Sequence, residues 1–214
     1  MAGVLAESSI CSLQSFERSI VANPDYPQPY FSIARIYLAK KDTSKAIEQY
    51  KALIEKNPKL PQPHMMMGTI YDMDKKYDLA AEHYLKALEL NPGFAPAANN
   101  LAYHLAERTQ KYDDALKYAQ IAKEKLPDEP GVIDTLGLAY YKKKLYGNAV
   151  SEFLDAAAKL PDNPVIHFHL GLAYDKKGEP DLAIKSLKKA LELNSSFEGA
   201  DQARSVLLQL SGKK

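Results

Sequence analysis

An all-α solenoid of stacked antiparallel helix pairs is the fold this sequence predicts, and two spacings carry the prediction. Pro24, Pro58, Pro92, Pro127 and Pro161 recur at intervals of 34, 34, 35 and 34 residues. Ala46, Ala80, Ala115, Ala149 and Ala183 keep the same beat. A period of this length marks a repeat whose units bury their apolar faces by stacking on their neighbours. Composition agrees: 46% of the 214 residues are hydrophobic, enough for one continuous array.

Residues 8–23 read as an isolated second helix, because Phe16 and Pro24 stand in register with Tyr50 and Pro58. The segment 1–26 is therefore expected to be the remnant of a truncated repeat, with Met1-Ala2 added by a vector and a longer array upstream. Five full units follow, at 27–60, 61–94, 95–129, 130–163 and 164–196. In the second of them a first helix is expected from about Pro63 to Lys75, with Asp78 capping the helix after it. Asn91-Pro92 stops that second helix, since proline disfavours a helical residue before it.

The first helices repeat an apolar residue (Ile33, Met67, Leu101, Leu136, Leu170) followed by a small one (Ala34, Gly68, Ala102, Gly137, Gly171). Three residues on stand Tyr37, Tyr71, Leu105, Tyr140 and Tyr174. The second helices carry the alanine series, then Tyr50, Tyr84, Ala119, Phe153 and Leu187, then Leu53, Ala87, Ala122, Ala156 and Ala190. Small residues let paired helices approach where their axes come nearest. The third unit holds one extra residue, expected as a longer loop at 107–111. Residues 197–214 read as a capping helix and tail, with Phe197, Ala200, Ala203, Val206, Leu207 and Leu210 on one stripe.

This alternation of apolar residue, Gly or Ala, Tyr, Ala, aromatic, Ala and Pro resembles the tetratricopeptide repeat over all five units. The resemblance implies a right-handed superhelix. Its usual tryptophan is replaced by Tyr30, His64, Ala98, Ile133 and His167, and the last unit has Ser195 where the proline belongs. His64 and His167 are expected to be partly buried against the preceding unit.

Net charge is +1, from 28 basic and 27 acidic residues, which argues against a general nucleic-acid binder. No run of 18 apolar residues occurs, so no membrane insertion is expected. Cys11 is the single cysteine; Ile10 before it does not suit a lipidation site, and no basic-plus-apolar leader precedes it. The compartment, cytoplasm or periplasm, is left open. His167 and His169 are two apart and face different ways on a helix, which disfavours a shared metal. HExxH, GxGxxG, GxxxxGK[ST] and GxSxG are all absent, so no catalytic site, cofactor or metal is expected. Lys40-Lys41, Lys75-Lys76, Lys142-Lys143-Lys144 and Lys176-Lys177 read as charges favoured by the ends of first helices, and Asp113-Asp114 as charges favoured by a helix start.

In the resembled family the first helices line a concave groove. Carried over, the groove positions are Gln28, Phe31, Arg35 and Leu38; Gln62, Met65, Thr69, Asp72 and Met73; Asn99, Tyr103 and Glu107; Asp134, Leu138 and Tyr141; Phe168, Leu172 and Asp175. The apolar members are expected to form an exposed binding patch, with about a third of them packed between adjacent first helices instead. The family's Lys/Asn carboxylate clamp is missing: Phe31/Arg35, Met65/Thr69, Asn99/Tyr103, Asp134/Leu138 and Phe168/Leu172 stand there. An asparagine ladder is missing too, since Asn100 is joined by Ser32, Met66, Thr135 and His169. What remains is an interaction scaffold that takes a partner peptide or amphipathic helix. Two rival readings are self-assembly through the orphan helix, and an accessory module of an enzyme whose catalytic domain lies elsewhere. Residues 99–193 are similar in style to bacterial arrays associated with PEP-CTERM sorting and exopolysaccharide export.

Overall fold

The structure, a computed structural model, describes the backbone of residues 2–212 and the side chains of residues 12–212; the Cys11 side chain and the last two lysines lie outside these. Every described element is helical. The chain divides into two compact units between Ala97 and Ala98. The division falls among the small side chains of Ala95, Ala97 and Ala98.

The first unit holds α1 (Ala2–Ala22), α2 (Pro27–Ala39), α3 (Thr43–Lys56), α4 (Pro61–Met73) and α5 (Tyr77–Leu90), each packed on the next. The second holds most of α6 (Ala95–His104), a π turn (Leu105–Thr109), α7 (Tyr112–Lys125), α8 (Pro130–Lys142), α9 (Tyr146–Lys159), α10 (Pro164–Lys177), α11 (Pro180–Leu193) and α12 (Ala200–Ser211). Here α7 packs on α8, α8 on α9, α9 on α10 and α10 on α11, while α12 lies against both α10 and α11. α1 starts earlier than the register argument placed it.

Proline at the first helical position sets the start of α2, α4, α8, α10 and α11, where a missing N–H leaves no partner wanting. α4 thus begins at Pro61, not Pro63. It ends at Met73 because Lys75 turns left-handed at φ 59°. Asp78 does not cap α5; Lys76 holds that position, and Asp78 sits in the first turn, where a negative charge suits the helix dipole.

The small residues of the first helices do what their register implies. A Cβ at Gly68 would lie 2.6 Å from the Tyr84 ring, at Gly137 2.6 Å from the Phe153 ring, and at Gly171 2.6 Å from Leu187 Cγ. Tyr84, Phe153 and Leu187 are 2%, 1% and 0% exposed, so each fills the space its glycine vacates. In the first pair Ala34 meets the same need beside buried Ala46 and Tyr50.

Four of the five turns between paired helices share one geometry, and the fifth locates the extra residue. The carbonyls of Tyr37, Tyr71, Tyr140 and Tyr174 accept from the N–H five residues on, at 2.8–2.9 Å. This is the Schellman closure, with the residue before the donor in the left-handed region: Lys41, Lys75, Lys144 and Gly178. In the third pair Leu105 stands in the tyrosine register, and its carbonyl accepts from Lys111, six residues on, at 3.3 Å. The insertion is wound into the π turn, with Gln110 left-handed at φ 56°; no long loop forms. Lysine carries a Cβ into backbone that glycine adopts freely. Lys144→Gly is therefore expected to stabilise the second unit by about 0.5–1 kcal/mol, read as a raised urea midpoint.

Candidate functional site

Within the second unit, first helices and cap line a half-open cavity of about 350 Å³. α6 contributes Tyr103 and the π turn Glu107; α8 contributes Asp134, Leu138, Tyr141 and Lys142. Phe153 of α9 lies at its floor, with Val165, Phe168, His169 and Leu172 of α10 along it. Glu198, Gly199 and Gln202, at and before the start of α12, close one end.

The closure depends on Gly199. Its φ of 105° lies in the left-handed region, and an added Cβ would stand 2.6 Å from the Phe168 ring. Only glycine turns the chain there while touching Phe168 so closely. Phe197 meets Phe168 edge-on at 5.5 Å, and Ala200 and Ala203 join the same cluster. As a result Leu138, Phe168 and Leu172 are only 3%, 6% and 7% exposed. These three belong to the share of apolar groove positions expected to pack between first helices instead of lying open. α12 and the contact of α8 with α10 bury them, and they act as walls.

The polar groups pair across the cavity. His169 Nδ1 lies 2.9 and 3.1 Å from the two carboxylate oxygens of Asp134 on α8. A carboxylate only accepts, so Nδ1 carries the proton. Lys142 Nζ stands 2.9 Å from Glu107 Oε1, each side chain about a quarter exposed. Tyr141 is half-buried beside Tyr146, ring centroids 5.7 Å apart. Burial pushes its phenol up, reinforced by Tyr146, Asp175 and Glu107 and opposed by Lys176, so it stays a neutral hydroxyl. Glu198 is exposed and has no ion-pair partner among the described residues. Three carboxylates thus face one lysine and one histidine.

Tyr103, Asp134, Leu138, Tyr141, Phe168 and Leu172, all groove positions of the family register, line this one cavity. In the first unit Phe31 and Arg35 border a shallow dent with Gln28, Ser32, Leu38 and Met66. There Phe31 leans on Tyr50, centroids 5.7 Å apart. Thr69 spends its hydroxyl on the Met65 carbonyl at 3.1 Å, and Met73 is 71% exposed. Asn99 turns its amide oxygen inward, where it is buried and accepts no hydrogen bond. His64 is half-buried beside His83 of its own helix pair, and His167 Nε2 lies 2.7 Å from the carbonyl of Pro161, at the end of the preceding unit as expected.

Sequence reasoning missed His169, Phe153, Lys142 and the cap residues as parts of one site. Asp134 and His169 are 35 residues apart, one repeat plus one, and that offset was the available signal. The lysine clusters also do more than suit helix ends: Lys142 and Lys143 reach back to Glu107 and Asp113, and Lys159 reaches Asp128.

Family comparison decides what these helix pairs are. Residues 27–60, 61–94 and 164–197 each match the tetratricopeptide repeat. Three of the chain's helix pairs are tetratricopeptide repeats. MamA from residue 41 onward, of Desulfovibrio magneticus RS-1, is 22% identical over 80% of this chain and 97% of its own, with a TM-score of 0.68. YrrB, described as a TPR protein with an unusual peptide-binding site, is 20% identical over 90% and 99%, with a TM-score of 0.69. PilF of Pseudomonas aeruginosa is 18% identical over 87% and 89%, with a TM-score of 0.70. At these identities the likeness concerns the fold. A search of the curated proteins gives no match. Proteins built of tetratricopeptide repeats are generally non-catalytic scaffolds, and the repeats here support a scaffold for protein–protein interaction. No described helix is long and apolar enough to cross a membrane.

Proposed function

We propose that the second unit binds a short segment of a protein partner in the cavity that α12 closes. The observation that carries this is the concave, mixed lining: aromatic walls from Tyr103, Tyr141 and Phe168, with three carboxylates against one lysine and one histidine. Such a site takes an apolar side chain between the tyrosines and a lysine or arginine beside Glu198. A carboxylate-ended peptide would meet like charge. Residues 99–193 keep their resemblance to arrays of exopolysaccharide export, and that pathway is proposed on this resemblance alone.

Selection of random peptides on the immobilised chain tests the reading. Peptides carrying Lys or Arg next to an apolar residue should be enriched, and Glu198→Arg should weaken them by about 1–3 kcal/mol. Glu198 is exposed, so the variant leaves the fold intact. Enrichment of acidic peptides, or equal affinity for the variant, contradicts the proposal. Self-assembly is separated by light scattering: a mass that grows with concentration favours copies of the chain as the partner.

A further inference from the structure

In the first unit, far in sequence from that cavity, His64 of α4 and His83 of α5 place their Nδ1 atoms 3.2 Å apart. Their rings stack at 5.4 Å between centroids and 30° between planes, and Tyr71 lies 5.3 Å from the His83 ring. Both histidines are half-buried, so neither is sealed from solvent. Burial is the main influence that lowers both from the usual histidine range. Lys86 adds to this at His64, and His64 and Lys51 add to it at His83. Glu89 and Glu82 oppose it. Both imidazoles are therefore neutral near pH 7, the form in which histidine binds metals.

The separation has a chemical meaning. Two nitrogens each about 2.0–2.1 Å from a tetrahedral zinc stand about 3.3 Å apart. The pair already holds close to that spacing through a hydrogen bond, in which one Nδ1 donates to the other. To admit an ion, that proton moves to the ring's Nε2 and both rings turn their Nδ1 lone pairs toward a common point between the two helices. We propose that His64 and His83 form a chelating pair for a borderline first-row divalent cation, zinc, nickel or copper(II), through their Nδ1 atoms. Imidazole suits these ions, whereas calcium and magnesium want oxygen ligands. No group of three or more His, Cys, Asp or Glu side chains gathers among the described residues, so the other positions fall to water. The site is open and exchangeable, unlike a closed structural zinc site. A bound ion would link α4 to α5 and raise the stability of this helix pair.

Calorimetric titration of the whole chain with zinc chloride, on a Cys11→Ser background, tests the assignment. One ion per chain is expected. His64→Gln or His83→Gln should weaken binding at least about tenfold, the loss that removal of a mere outer-shell partner can cause. His169→Gln should change nothing. Equal zinc binding by the His64→Gln/His83→Gln double variant, or none by the parent, overturns the proposal. A second measurement needs no substitution: nickel(II) should broaden amide signals around His64 and His83 first, and broadening centred elsewhere overturns it equally.

Discussion

Phe153→Ala is expected to remove about 3–5 kcal/mol of stability from the second unit. Phe153 is 1% exposed, and its ring fills the space opposite Gly137, where a Cβ would stand 2.6 Å away. Truncation leaves a void that two regular helices cannot collapse to fill. The glycine makes the claim specific. Gly137→Leu alone should destabilise, by the overpacking its 2.6 Å contact implies. Combined with Phe153→Ala, it should instead recover part of the loss. Urea midpoints of the two single variants and the double variant check this. Additive losses would mean that Gly137 and Phe153 do not share one space.

Gly171→Val should cost about 2–3 kcal/mol by the opposite route, overpacking. A Cβ there meets Leu187 Cγ at 2.6 Å and the Leu187 backbone nitrogen at 3.2 Å, and backbone yields less readily than a ring edge. α10 and α11 would be forced apart. Gly147→Ala is the control. Nothing lies within 4 Å of a Cβ at that position in the first turn of α9, so the same kind of change should stabilise by up to about 1 kcal/mol. Hydrogen exchange of α10 and α11 amides reads the first effect locally, where a global midpoint would blend neighbouring pairs.

These two predictions rest on what was most legible in the sequence. The alternation of Gly68, Gly137 and Gly171 with Tyr84, Phe153 and Leu187 is a one-dimensional record of a helix–helix contact. Because the contact repeats, register alone exposes it. The turns were half legible. Tyr37, Tyr71, Tyr140 and Tyr174 stood out as a series, but the sequence did not say that their carbonyls close the turns. The same gap hid the π turn: one residue between Leu105 and Lys111 fits a loop or a bulge equally well, and the choice follows from closing on Leu105.

The cavity was the least legible part. Tyr103, Asp134 and Tyr141 could be placed from the family register, because a helix face follows from spacing. Burial of Leu138, Phe168 and Leu172 could not. It depends on where α12 lands, which is set by a left-handed Gly199 and the edge-on contact of Phe197 with Phe168, outside the repeat register. Repeats announce their contacts by recurrence; a contact made once leaves no such trace.

The central claim is that this α12-closed cavity receives the partner. Its most direct test is the position of a selected peptide bound to the intact chain, read from amide signals broadened by a spin label on the peptide. Broadening is predicted around Tyr103, Asp134, Tyr141 and Gln202. Broadening confined to other surfaces, with these four residues unaffected, would contradict it.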